Sequence, residues 1–236
     1  MTRPRVLSIH QPNFIPWIGY FNKIARSDVF VILDDVQYPQ GKSVANRNKI
    51  KTAQGALELV IPVSLPKEKD GKAIYTEVKF ADDKWSRKAL KTLQRNYAKA
   101  PYFSEYYPYL ETLFTQADNF CKMNMDFIHF IVEELSIDTE VKRLSEIRNE
   151  QDLGHKNDLI IGLCTYCDAD MYLSGKGAKK YNDEALMNKN GIALNYQEFT
   201  AGEYPQLYGE FIPNLSIIDA LFNCGKTETE KLVKIT

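Results

Sequence analysis

The sequence has little of what marks several protein classes. Its four cysteines and three histidines in 236 residues are too few and too scattered for a disulfide scaffold. No apolar run approaches the length of a membrane span, and the leading MTRPRVLSI has no apolar signal core. A formal net charge of −1 supplies no global field to recruit nucleic acid or an anionic membrane. Internal repeats, low-complexity runs and linkers are also missing. These absences point to a cytoplasmic globular protein with neither a nucleic-acid partner nor a membrane span. Cys164 and Cys167 form a C-x-x-C, but no second such pair or H-x-x-x-H accompanies it. They end a predicted helix, and read as small buried side chains one turn apart.

What is present is an ordinary globular composition, 44% apolar and 26% charged. Val6–Ile9 is a short apolar run that stops at His10-Gln-Pro, and reads as a strand. From Trp17 to Arg26 the apolar residues follow helical spacing, with Pro16 just ahead where a missing N–H costs little. VFVIL after Asp28 is a continuous β-branched run, suited to a strand buried on both faces. Strand, helix and strand in that order predict a right-handed βαβ unit.

Gln37 to Lys51 is polar and basic and reads as a loop or short helix. Leu57–Val63 and Tyr75–Phe80 read as strands around the lysine-rich PKEKDGK. Helical spacing fills Asp83–Ala98, Phe103–Gln116 and Lys122–Leu135. The α/β rhythm then returns, with strands at Thr139–Leu144, Met171–Leu173 and Ile192–Tyr196. Helices are predicted at Asn157–Cys164 and Asp183–Lys189, and two more in the tail around Asn223-Cys-Gly. The expected fold is a single α/β domain over residues 1–236. Its sheet is mostly parallel and Rossmann-like, a nucleotidylyltransferase-like strand order being one form of it, and a mainly helical insertion spans about 83–136.

Open parallel sheets bind ligands beyond the carboxyl ends of their strands. That rule picks out His10, Gln11 and Asn13 after the first strand, then Asp34, Asp35 and Gln37 after the second. Ser174, Gly175 and Lys176 follow a later one. His10 reads as a general acid/base, or as a histidine that shapes its own loop. Asp34 and Asp35 are adjacent, so in a continuing strand they face opposite ways; one would bind a metal–phosphate complex or orient a substrate amine or hydroxyl, or both would cap the next segment of chain. Asn46, Arg47 and Asn48 suit a carboxylate or phosphate, or form a solvated basic turn. SGKGAKK offers backbone N–H groups beside Lys176 without Walker A spacing. His10 has no second histidine at ligand spacing, so no metal site is expected, and no cofactor is indicated.

The stretches IHQPNFIPWIGYFNKIARSDVFVILDDVQY, NRNKIK, KAPYF, YLSGKGAKKY, NYQEF and LSIIDALFNCG together resemble the WbqC-like family, in order and over nearly the whole chain. The resemblance implies a place in bacterial surface-polysaccharide (O-antigen) gene clusters. A looser likeness joins the strand, H-Q-P-N loop, helix, strand and acidic end to the nucleotidylyltransferase and pantothenate synthetase group, although the H-x-G-H spacing is missing. The family resemblance implies a role in making or decorating a glycan. With three polar groups at the predicted strand ends, the expected protein is an enzyme of surface-glycan biosynthesis that transfers an acyl or aminoacyl group to an amino sugar or a nucleotide-linked amino sugar. In it His10 takes a proton, Asp34 or Asp35 orients the imidazole or nucleophile, and Arg47 and Lys176 hold phosphate or carboxylate. The alternative is a non-catalytic nucleotide-sugar-binding partner of such an enzyme.

Overall fold

The computed structural model describes residues 3–39, 41, 43–66 and 72–235. The run ending at His10 forms β1 (Val6–His10), the helical spacing after Pro16 forms α1 (Ile18–Ala25), and VFVI forms β2 (Val29–Ile32). β1 and β2 pair in parallel, with His10 opposite Ile32, so the predicted βαβ unit is present.

The chain then leaves the sheet. It makes two antiparallel hairpins, β3 (Arg47–Thr52) with β4 (Gly55–Val60) and β5 (Val63–Ser64) with β6 (Lys79–Phe80). The helices α2 (Trp85–Tyr97), α3 (Phe103–Thr115) and α4 (Phe120–Glu134) come next, within the expected helical stretch. The segment read as a loop or short helix instead ends in β3. Its polar sequence hides a strand that cross-strand pairing decides, with Ile50 opposite Leu57 and Asn48 opposite Leu59. Residues 67–71 of the lysine-rich loop lie outside the described residues.

On its return the chain adds β7 (Glu140–Arg143), α5 (Leu144–Arg148), α6 (Asn157–Tyr166) and β8 (Met171–Ser174). It ends with α7 (Glu184–Lys189), β9 (Ala193–Tyr196) and α8 (Ile217–Val233). The resulting sheet is parallel throughout, in the order β7-β2-β1-β8-β9. Along the chain that is third, second, first, fourth, fifth, so the order reverses between β1 and β8. Both faces are covered, which explains the unbroken apolar run of β2. Phe30 and Ile32 join a core with α1, α8 and the excursion, while Val29 and Val31 join a second core with α5 and α6. Cys164 and Cys167 are buried in that second core, and burial pushes the Cys164 thiol up to about 12. Among the described residues no helix is long and apolar enough to cross a membrane.

Buried polar bonds tie the excursion to α8. The buried Tyr97 hydroxyl accepts the Lys51 amide N–H at 2.7 Å and donates to Asp219 at 2.6 Å. The Lys51 ammonium donates to Gln206 at 3.0 Å. Within α8, Gly225 breaks the helix with φ 70° and ψ −173°, and a Cβ there would sit 2.7 Å from the Tyr102 ring. Gly225→Ala therefore meets both backbone strain and a clash. A loss of about 1–3 kcal/mol is expected in urea unfolding, with no change in m-value.

Candidate functional site

The parallel register sets Leu7 beside Tyr172, which continued three residues brings Gly175 level with His10. At this reversal of strand order opens a cleft of about 850 Å³. β1 brings His10 and Gln11 to it, the loop after β8 brings Gly175 and Gly177, and the start of α6 brings Lys156 and Asn157. A smaller lobe of about 270 Å³ lies on the α1 side, walled by Trp17, Tyr20 and Phe199. His10, Lys23, Gly175 and Gly177 border both spaces.

The His10 ring is held in one tautomer. Its Nδ1 lies 3.1 Å from the Gln11 carbonyl, which can only accept, so Nδ1 carries the hydrogen and Nε2 the lone pair. Tyr20 donates its hydroxyl to the same carbonyl at 3.1 Å and packs its ring 4.8 Å from the imidazole. Burial, reinforced by the like charge of Lys23, lowers the His10 pKa to about 3. The imidazole is thus neutral at physiological pH, with its Nε2 lone pair free to accept a hydrogen bond.

Lys23 is 3% exposed, and its Nζ donates to the Ile9 carbonyl at 2.9 Å. Burial lowers its pKa to about 7. Unfolding restores the ordinary value of 10.5, so between about pH 7 and 10.5 the unfolded chain binds a proton that the folded chain has released. In that window this group makes stability rise with pH. The Tm of the native sequence is expected to climb relative to that of Lys23→Met between pH 7 and 10; a constant difference across that range would count against a buried, neutral amine.

Lys156 and Lys180 line the large space and Lys176 the small lobe, and among the described residues no Asp or Glu lines either. The exposed Lys176–Glu198 pair, at 3.4 Å, offsets little of this charge. Cations beside the backbone of a glycine-bearing turn suit an anionic ligand. Buried Ser174 accepts from Asn182 Nδ2 at 3.0 Å, which folds this loop back over the β8 end.

Of the three polar groups predicted to share one rim, two meet. The carboxylates stand elsewhere, because β2 has β7 on the side away from the cleft. Asp34 is fully buried and accepts from Arg143 Nε at 3.0 Å, the Ser145 amide at 2.9 Å and the Ser145 hydroxyl at 2.6 Å. Asp35 pairs with Arg148 at 2.7 Å. Neither lines the cleft with His10, nor does buried Asn13, so the expectation of one shared pocket is corrected. Gln37 is exposed beyond β2, its backbone bridged to Ile74.

The amides of NRN are braces. Asn46 donates to the Ile61 carbonyl and Asn48 to that of Ile15, each at 2.7 Å. Arg47 pairs with Glu58 at 3.2 Å across the hairpin. The cleft residue most readily overlooked is Lys23, which as part of an amphipathic helix looks solvated. Its helical spacing from Gly19 and Tyr20, both in the small lobe, is the signal that places it there.

An all-parallel sheet with a cationic cleft at its strand-order reversal places the chain among α/β proteins. Residues 11–231 match the WbqC-like protein family, and the chain belongs to that family, which is linked to polysaccharide and O-antigen gene clusters. It is 33% identical over 222 residues to the uncharacterized protein Rv1507c of Mycobacterium tuberculosis, covering 93% of this chain and 94% of that one.

Proposed function

We propose that this protein is an enzyme of bacterial surface-glycan biosynthesis that holds a nucleotide-linked amino sugar in the cleft and transfers an acyl or aminoacyl group to its amine. The observation that carries this reading is a lysine-lined cleft, free of carboxylates among the described residues, at the point of strand-order reversal. Parallel sheets bind ligands in the crevice where their strand order reverses, and the cleft lies there. The amine lone pair attacks the carbonyl carbon of an activated acyl donor such as a thioester or acyl phosphate. His10 Nε2 takes the proton that the amine sheds, and the donor's leaving group departs with the electron pair of the broken bond. Lys156 and Lys180 give the large space the positive charge that draws in an anionic nucleotide. Lys176 stands at the small lobe beside it.

A second reading, a non-catalytic nucleotide-sugar-binding partner, draws on the engagement of Asp34 and Asp35 by arginines away from His10. The two separate in one experiment. Nucleotide sugars screened by thermal shift should raise the Tm under either reading. Mass spectrometry of the same mixtures with acyl thioesters should then show the sugar gaining the acyl mass. Stabilisation without any acyl product leaves the binding reading, and no stabilisation by any nucleotide sugar removes both.

A further inference from the structure

The small lobe adjoins the large space and shares four of its lining residues, yet has walls of its own. It lies on the α1 face of the sheet, whereas the large space lies on the α6 face. Its wall is built around Gly19. A Cβ at that position would fall 2.2 Å from Cη2 of Trp17, so only glycine lets the indole fold down onto α1. The Phe199 ring stands nearly on edge to that indole, centroids 5.7 Å apart at 65°. Such a pair presents one aromatic face with a wall beside it, and is not a slot between two parallel rings. Gln197, bonded through Nε2 to the Gly19 carbonyl and to Asn22 at 2.8 Å each, fixes an amide next to this face. Lys23 and His10 stand where the two spaces join.

From these placements we infer that the small lobe is a sugar subsite: the ligand's diphosphate lies over Lys23 and the Gly175–Gly177 turn, its nucleoside fills the large space, and its sugar ring stacks on Trp17. This rests on the nucleotide-sugar reading above and adds which part of the ligand goes where. One apolar aromatic face beside an amide matches a pyranose, which has an apolar C–H face and hydroxyls at its rim. A flat base is better served by the larger space, which holds Tyr172 and Tyr181. Lys23 donates to the Ile9 carbonyl at the border of both spaces, and a phosphate bound there would favour its charged form. The sugar amine is thereby carried to His10, which borders the lobe.

The test is calorimetric titration of the full chain with matched pairs: UDP and UDP-N-acetylglucosamine, GDP and GDP-mannose, dTDP and dTDP-glucose. For the pair that binds, the sugar should tighten binding by about tenfold. Trp17→Leu and Gly19→Ala should each abolish that increment while the nucleoside diphosphate keeps its native Kd, which also certifies the fold of the variant. Two results overturn the inference alone: a sugar that adds nothing in the native chain, or variants that weaken the nucleoside diphosphate as much as its sugar. Absence of binding by every member of all three pairs overturns the broader reading as well.

Discussion

His10→Ala is expected to slow acyl transfer by about 10²–10⁴-fold while leaving the Kd for the nucleotide sugar nearly unchanged. The ring keeps its Nε2 lone pair unprotonated. Its Nδ1 hydrogen is committed to the Gln11 carbonyl, Tyr20 packs on it, and burial keeps it neutral, with a pKa of about 3. Alanine removes the Nε2 lone pair but not the lysines that line the cleft. Steady-state kinetics with parallel calorimetry separates the two effects. The low pKa adds a second signature, because kcat/KM should show no acid limb near the ordinary histidine value of 6.5. A variant with native kcat and lost binding would make His10 a ligand contact and not a base.

Asp34→Ala should cost about 3–5 kcal/mol of stability, the largest structural effect expected of any single change at a strand end. This carboxylate is fully buried and holds Arg143 and both donors of Ser145. Removing it leaves the Ser145 amide and hydroxyl without their buried acceptor at the junction of β2, β7 and α5, and leaves Arg143 only Glu146 at 3.4 Å. At roughly 2–4 °C per kcal/mol for a chain of this size, the Tm should fall by about 10 °C. Nucleotide-sugar affinity of the folded fraction should be unchanged, because Asp34 does not line the cleft. Asp35→Ala, which loses a partly exposed pair with Arg148, should cost less. A stable Asp34→Ala protein that had lost its activity would return the aspartate to the chemistry.

The contrast between His10 and Asp34 shows what is legible in the residues. Apolar runs and their turn signals locate β1, α1 and β2, since a strand buried on both faces must be apolar throughout and an amphipathic helix must repeat its apolar residues. The same logic places α6, β8 and α7 to within a few residues. β3 is hidden, because a two-stranded hairpin half open to water has no strong pattern of its own.

At the site, polar residues after β1 and β8 point to the right edge of the sheet. Which neighbour β2 turns its carboxylates toward depends on strand order. Sequence leaves that order open, and β7 with its Arg143 lies more than a hundred residues on. Lys23 gives no signal of its own for a related reason. A lysine on an amphipathic helix is ordinarily solvated, whereas this one turns inward to the Ile9 carbonyl of β1.

Amide hydrogen exchange on the full chain, with and without a saturating nucleotide sugar, tests the location of the ligand most directly. Protection is expected in the loop from Gly175 to Asn182, at the start of α6 and at Gln11, with the β3–β4 hairpin unchanged. Protection confined to Asp34–Tyr38 or to that hairpin, with the Gly175 loop exchanging as before, would contradict a ligand held at the β1–β8 crevice.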